Sequence, residues 1–304
     1  METIRVRVPA TSANCGPGFD CLGLALELYN TFTFTHDAGS TANTYSFTGF
    51  DAELLEKEDQ SQNLVGRAMD VVFAEAGEAP QYGHIHSDTN IPPSRGLGSS
   101  STAIVAGLLL ANKLLKKPLS KERLVELANR IEGHPDNVAP ALLGNLICAV
   151  NAEAGLFYTS VMIPTDVFFA VAVPEVTVST EYARSVLPKE ISHHEATANV
   201  SHAALFVTAL QQDKPEFLKV ALEDYLHVPY RKKLIPHCED VFNAALAKGA
   251  HGATISGSGS TLIAYCPASA AADVAEAMKN VFETNGIACK SYVLKPDTIG
   301  AAYV

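Results

Sequence analysis

"IPPSRGLGSSSTAIV", residues 91–105, sets two prolines, two glycines and three consecutive serines directly ahead of an apolar run. Proline fixes φ and excludes helix, glycine enters conformations barred to other residues, and serine is a favoured N-cap. An ordinary loop capping a core helix uses such residues. So does a cradle of backbone N–H groups that holds an anion at a helix N-terminus. Two commoner nucleotide fingerprints fail here. A Walker A loop needs a lysine after its second glycine, and none follows Gly96 or Gly98. A dinucleotide fingerprint needs glycine or alanine where Ser101 stands, directly after a strand, whereas Pro92 and Pro93 intervene.

The rest of the chain limits what such a cradle could serve. The 304 residues suffice for one large domain or two medium ones. With 47% hydrophobic and 18% charged residues, they describe a folded, soluble protein. The longest apolar run, Ala103 to Ala111, is far short of the roughly 20 residues that span a bilayer. Neither a membrane partner nor a secretory signal is expected. Cysteines 15, 21, 148, 238, 266 and 289 form no C-x-x-C, which fits a reducing cytoplasm with thiols used as small core residues. His193, His194 and His202 lack a metal-ligand spacing with acids or cysteines. The net charge of −11 argues against nucleic acid, which favours a basic face. An acidic chain that grips an anion must concentrate positive potential locally, through helix N-termini, a few arginines or a metal ion.

Periodicity supplies the elements. "TIRVRV" (3–8) alternates with Ile4, Val6 and Val8 on one face of a strand, and "PATSANCGPGFD" (9–20) follows as a loop. "YNTFTFT", "TYSFTG" and "YGHIHSD" are further strands, and 62–77 is a helix with a glycine stop. The helix after the opening stretch spans about Ser99 to Leu115. Another is capped by Ser120 and ends at Gly133, ahead of a buried strand over 146–150. Beyond Phe157 come a strand (167–173), helices (about 179–248), a strand (261–266), a helix (269–284) and a strand (289–294), an α+β pattern of the split βαβ kind. "NAEAG" (151–155) is the expected boundary, dividing the chain into 1–155 and 156–304, and the apolar tail "DTIGAAYV" is expected to dock.

Three motifs resemble a known family in its own order. The Pro-Gly-Ser loop is similar to the phosphate-binding motif of the GHMP small-molecule kinases, and "ATISGSGSTLIAY" (253–265) to their C-terminal glycine motif with Gly257 and Gly259. "VPATSANCGPGFDCLG" (8–23) resembles their N-terminal motif in its homoserine kinase form, with Ser12, Ala13 and Asn14 where other members carry lysine or Gly-Arg. The resemblance covers essentially the whole chain. It implies a two-domain fold, with a half like ribosomal protein S5 domain 2 and a ferredoxin-like half, and the active site between them. It also implies ATP-dependent phosphorylation of the L-homoserine hydroxyl, Mg²⁺ accompanying ATP, and a homodimer. A kinase of another small alcohol and a non-catalytic ligand sensor of the same fold are the alternatives; the missing lysine counts against the first.

On this resemblance the nucleotide lies along Pro92, Pro93, Ser94 and Arg95, the turn Gly96-Leu97-Gly98, and Ser99, Ser100, Ser101 and Thr102. Backbone N–H groups from Gly96 to Ser101 line the phosphates, and prolines stiffen the approach. Arg95 adds charge or is an exposed loop residue; Asn63 contacts adenine or caps its helix. Ser100 and Glu132 would hold Mg²⁺, although an acid is poorly placed at the negative end of a helix. Asn137, in "EGHPDNVAP", stands where other members of the family have an aspartate base, and an amide cannot take a proton at neutral pH. Positioning would then dominate catalysis. A zwitterionic acceptor needs an anion and cations: Asp20 for its ammonium and Arg184 and Arg231 for its carboxylate. Asn14, His134, Asp136 and Thr180 complete that set.

Overall fold

The computed structural model describes residues 3–304, organised on two sheets. The first begins with β1 (Thr3–Ala13) and β2 (Leu22–His36), paired antiparallel. Ile4, Val6 and Val8 are buried along one face of β1, as their alternation requires. The strand then continues to Ala13, through residues expected to be loop. Pro9 is accommodated because the register shifts between Pro9 and Ala10, where a missing N–H costs no ladder bond. Next come β3 (Thr44–Gly49), α1 (Ala52–Leu55), α2 (Leu64–Ala76) and β4 (Gly83–Thr89). β4 pairs antiparallel with β2 and parallel with β3.

Helix α3 (Ser99–Leu114) is apolar on nearly every side and lies within the core, packed on α2 and β1. α4 (Lys121–Glu132) is capped by the Ser120 hydroxyl, which accepts from Arg123 N at 3.2 Å, and is closed by left-handed Gly133. α5 (Pro135–Leu143) leads to β5 (Leu146–Ala152) and β6 (Gly155–Val161). Residues 151–155 therefore do not divide the chain. They hold the tip of a hairpin in which Leu146 pairs Val161 and Ala152 pairs Gly155, and this hairpin hangs from β2 in the first sheet. The strand over 155–161 was not among the elements expected from the sequence, because its pairing with β5 is what makes it a strand. The tail docks as expected, with β11 (Ala302–Tyr303) pairing β1.

The second sheet starts at β7 (Val167–Pro174). Helices α6 (Thr180–Ser185), α7 (His193–Gln211), α8 (Leu218–Ala221), α9 (Val228–Arg231) and α10 (Cys238–Ala247) follow, then β8 (Gly252–Ile255), β9 (Leu262–Pro267), α11 (Ala271–Thr284) and β10 (Cys289–Leu294). The antiparallel order β10-β7-β9-β8 places the fourth strand beside the first and the third beside the second, the ferredoxin-like arrangement. An apolar seam fastens the two sheets: Leu22, Leu24 and Leu97 from the first unit meet Phe169, Val171 and Phe206 from the second. Each such side chain stabilises the assembly by about 1.5–3 kcal/mol, so the seam fixes the walls of whatever lies between the units. No helix among the described residues is long and apolar enough to cross a membrane. Cys15, Cys238, Cys266 and Cys289 are buried, whereas Cys21 and Cys148 are half-buried with their sulfurs 3.7 Å apart.

Candidate functional site

Where the two units meet lies a cavity of about 640 Å³. Its middle is walled by the Pro93–Ser101 turn, one end by Phe32, Phe47, Asn63 and Val65, and the other by charged residues of both units. The turn depends on left-handed backbone at Ser94, Gly96 and Gly98. A Cβ on Gly96 would run into the Ser256 carbonyl, and one on Gly98 into the Thr11 hydroxyl. Glycine is obligatory at both.

Successive carbonyls of the turn are already engaged. Thr261 N donates to Arg95 O (3.1 Å), Ser256 Oγ to Gly96 O (2.6 Å) and Thr11 N to Leu97 O (3.1 Å). The C-terminal glycine motif thus clamps the turn from behind and ties down the oxygens that would repel an anion. α2, α4 and α7 each have a first-turn N–H accepted by a capping side chain, from Asn63, Ser120 and Ser192. α3 starts from Gly98 with no side-chain cap. Its first-turn N–H groups and the positive end of its dipole are thus left without a side-chain acceptor, an arrangement that suits an anion.

Not every expected nucleotide residue reaches the cavity. Arg95 points its charge elsewhere: Nη1 donates to Pro93 O at 2.9 Å and lies 3.5 Å from Asp51. Pro92 and Gly259 are absent from the lining. Thr102 is fully buried, accepts from Asn30 Nδ2 at 2.9 Å and donates to Ser99 O at 2.6 Å, so it braces the helix start. Asn63 caps α2 through Oδ1 (3.0 Å to Val65 N) while also bordering the cavity.

Glu132 reaches the cavity from the end of α4, and its hydroxyl partner is Ser101, at 3.0 Å, with Ser100 on the same wall. Burial raises its pKa, opposed by the neighbouring His134. A desolvated carboxylate with hydroxyls alongside, and no salt bridge among the described residues, is a donor set of few hard oxygens. Such a set fits Mg²⁺, which keeps phosphate oxygens and water as its remaining ligands.

At the charged end, residues far apart in the chain converge. Arg184 grips Asp20 bidentately (2.7 and 3.0 Å). His134 Nδ1 meets Asp136 Oδ1 at 2.6 Å; burial works against the imidazolium, but the bonded Asp136 and nearby Glu132 outweigh it and raise the pKa. Asn14, in left-handed backbone, accepts from Asp20 N (3.0 Å) and donates to Gly257 O (3.1 Å). Arg231 is 2% exposed and donates to Ala183 O (3.1 Å) and Gly257 O (3.0 Å). Asn137 Oδ1 accepts from Thr11 Oγ1 at 2.7 Å, and Thr180 completes the wall. Asp20, His134 and Asp136 are the one three-residue cluster with metal-ligand spacing among the described residues. Both carboxylates already have cationic or hydrogen-bonding partners within the chain, Arg184 for Asp20 and His134 for Asp136.

Several contributors escaped the sequence reading. Asn30 accepts from Asn90 N (2.8 Å) and Ile91 N (2.9 Å) and anchors the start of the turn; its signal was a lone amide amid the Phe/Thr alternation of β2. Phe32 and Phe47 supply apolar wall, and only their strands were foreseen. Thr11 and Ser256 gave no local signal.

Two family models match the chain: the GHMP kinases N terminal domain over residues 63–145 and the GHMP kinases C terminal domain over residues 206–284. The homoserine kinase of Picosynechococcus sp. is 43% identical over 99% of both chains. That of Desulfitobacterium hafniense is 41% identical over 99% of this chain and 100% of its own. The crystal structure of homoserine kinase from Cytophaga hutchinsonii superposes with a TM-score of 0.89 at 29% identity, covering 100% of this chain and 98% of the other.

Proposed function

The chain belongs to the GHMP kinase family, in its homoserine kinase branch, and on that premise we propose how its residues carry out the reaction. It moves the γ-phosphoryl group of ATP to the side-chain hydroxyl of L-homoserine, giving O-phospho-L-homoserine in threonine biosynthesis. The observation that carries the assignment of roles is one cavity with an uncapped helix start along its middle and a cluster of opposite charges at one end.

The triphosphate lies against the turn from Gly96 to Ser101, held by main-chain donors and the α3 dipole. Phe32, Phe47 and Asn63 border the space left for the base. Glu132, with Ser100 and Ser101, would hold Mg²⁺, which supplies charge neutralisation on the phosphates when bound.

Homoserine carries its ammonium and carboxylate on one carbon, so it needs an acid and a base side by side. The Asp20–Arg184 pair has that layout, each group holding on its partner the place that the substrate's like charge would take. Arg231 gives the carboxylate a second guanidinium. Asn137 has its oxygen engaged by Thr11 and keeps its NH₂ to donate to the acceptor hydroxyl oxygen. The hydroxyl proton then leaves late, to the phosphoryl group in transfer, as a loose transition state permits.

ADP release measured with homoserine, mevalonate, shikimate and galactose tests the assignment: turnover is expected with the first alone. Asn137→Asp tests the proton route. A gain in kcat of about a hundredfold, typical of a missing base supplied, would sink it.

A further inference from the structure

Behind the acceptor end sits a histidine for which the reaction as described has no task. His227 is fully buried. Its Nε2 meets Gly16 O at 2.9 Å and its Nδ1 meets Arg231 Nη1 at 3.4 Å. A carbonyl only accepts and a guanidinium only donates, so these two partners dictate the imidazole's state: proton on Nε2, lone pair on Nδ1, no charge. Burial and the Arg231 charge push in the same direction, lowering its pKa.

The surrounding chain is built to hold that ring. Asp224 is buried beside it, and its carboxylate accepts from the N–H groups of Leu226 (3.1 Å), His227 (2.7 Å) and Val228 (2.6 Å), locking the turn into α9. His227 and Arg231 are four residues apart and therefore share one side of that helical turn. Phe19 closes the assembly: the guanidinium carbons of Arg231 and Arg184 lie 5.2 and 5.4 Å from its ring centre, and the His227 ring 5.4 Å away. Gly16 and Phe19 belong to the same loop as Asp20.

We propose that His227 is a positioning residue for substrate selection, accepting from Arg231 while donating to Gly16 so that the carboxylate-binding guanidinium and the ammonium-binding loop are held in one register. The inference deepens the acceptor reading and rests on Arg231 meeting the carboxylate. A neutral acceptor suits this role, because a carboxylate in its place would neutralise Arg231 and compete with the substrate.

Two variants separate the bonds. His227→Gln keeps a donor able to reach Gly16 and loses the acceptor at the Nδ1 position; His227→Asn keeps an acceptor near that position and loses the reach to Gly16. The Gln variant is expected to raise the homoserine KM about tenfold, as loss of one hydrogen bond to a charged group implies, with the ATP KM and kcat close to wild type. The Asn variant, which keeps the guanidinium's acceptor and frees only the Gly16 carbonyl, is expected to raise the homoserine KM less, about threefold, as loss of a neutral hydrogen bond implies. In an Arg231→Leu background the Gln change should add nothing, since both act through one contact. Effects that multiply, or Gln and Asn variants with the same KM, overturn the proposal. If Arg231→Leu itself leaves the homoserine KM unaltered, the arginine reading is what fails. Imidazole NMR of nitrogen-labelled wild-type enzyme gives an answer even if a variant does not fold. A neutral ring protonated at Nε2 is expected, and a proton on Nδ1 at neutral pH overturns the proposal.

Discussion

The two ends of the cavity are made of different material. The proposed nucleotide end is built on one stretch of main chain, from Pro93 to Ser101, whose role on this reading lies in its amides and in the absence of two Cβ atoms. The acceptor end is made of side-chain charges delivered by four distant segments, around residues 14–20, 134–137, 184 and 231. A main-chain site survives many side-chain changes and fails when a methyl group is added. A side-chain site tolerates backbone adjustment and fails when one charge is removed. The two ends should therefore respond to substitution in opposite ways.

Glu132 is the exception, a buried acidic side chain at the main-chain end, and its loss is expected to give the largest effect. Glu132→Gln keeps the size and the contact with Ser101 and removes the charge. A fall in kcat of about a thousandfold is expected, with homoserine KM little altered, as for the loss of a group that stabilises the transition state. Steady-state kinetics at saturating Mg-ATP would check it; a change below about tenfold would show that the nucleotide end works without a side-chain anion.

Arg184→Leu probes the other end. Removing a bidentate charged partner should raise the homoserine KM about a hundredfold and leave the ATP KM within about twofold. If both KM values rise together, the two ends are not separable and the contrast between them collapses. Gly98→Ala is the converse experiment. The new Cβ meets the Thr11 hydroxyl at a φ of 69°, so a loss of about 1–3 kcal/mol in stability and an ATP KM raised about tenfold are expected. Homoserine KM should move less than ATP KM; the reverse order would place the strain at the acceptor end, through the Thr11–Asn137 bond.

The same contrast decides what could be read in the sequence. The turn, the Ser120 cap, the Gly133 stop and the helix from Ser99 are local devices, each specified within a few residues, and each was legible. Where the chain depends on a distant partner, the reading faltered. Loop residues 9–13 became strand because β2 offered a ladder, and 151–155 became a hairpin tip because β5 and β6 pair. At the acceptor end the sequence offered the charged residues that converge, but no spacing reveals that Asp20 would pair with Arg184, 164 positions away. Nor could the sequence distinguish Arg95, turned toward Asp51, from an arginine that faces phosphate. Charge is a property of composition, whereas partnership is a property of the fold.

The smallest expected effect concerns the buried ring behind Arg231. His227 is faced by Asp224 and Asp20, which favour its charged form, and by Arg231, which opposes it together with burial; the balance lowers its pKa below the ordinary 6.5. In the unfolded chain the imidazole takes a proton as pH falls through that ordinary value, while in the folded chain it resists. Between the two pKa values the unfolded state binds more protons, so the contribution of His227 to stability is present above about pH 6.5 and is lost as pH drops below it. His227→Asn has no such titration. The stability gap between wild type and this variant, measured by urea unfolding at about pH 8 and about pH 5.5, should narrow toward acid. Carboxylates shared by both proteins cancel in the difference, which isolates the ring. A gap that stays constant would mean that His227 titrates alike folded and unfolded, and a ring so placed could not be the neutral acceptor that holds Arg231.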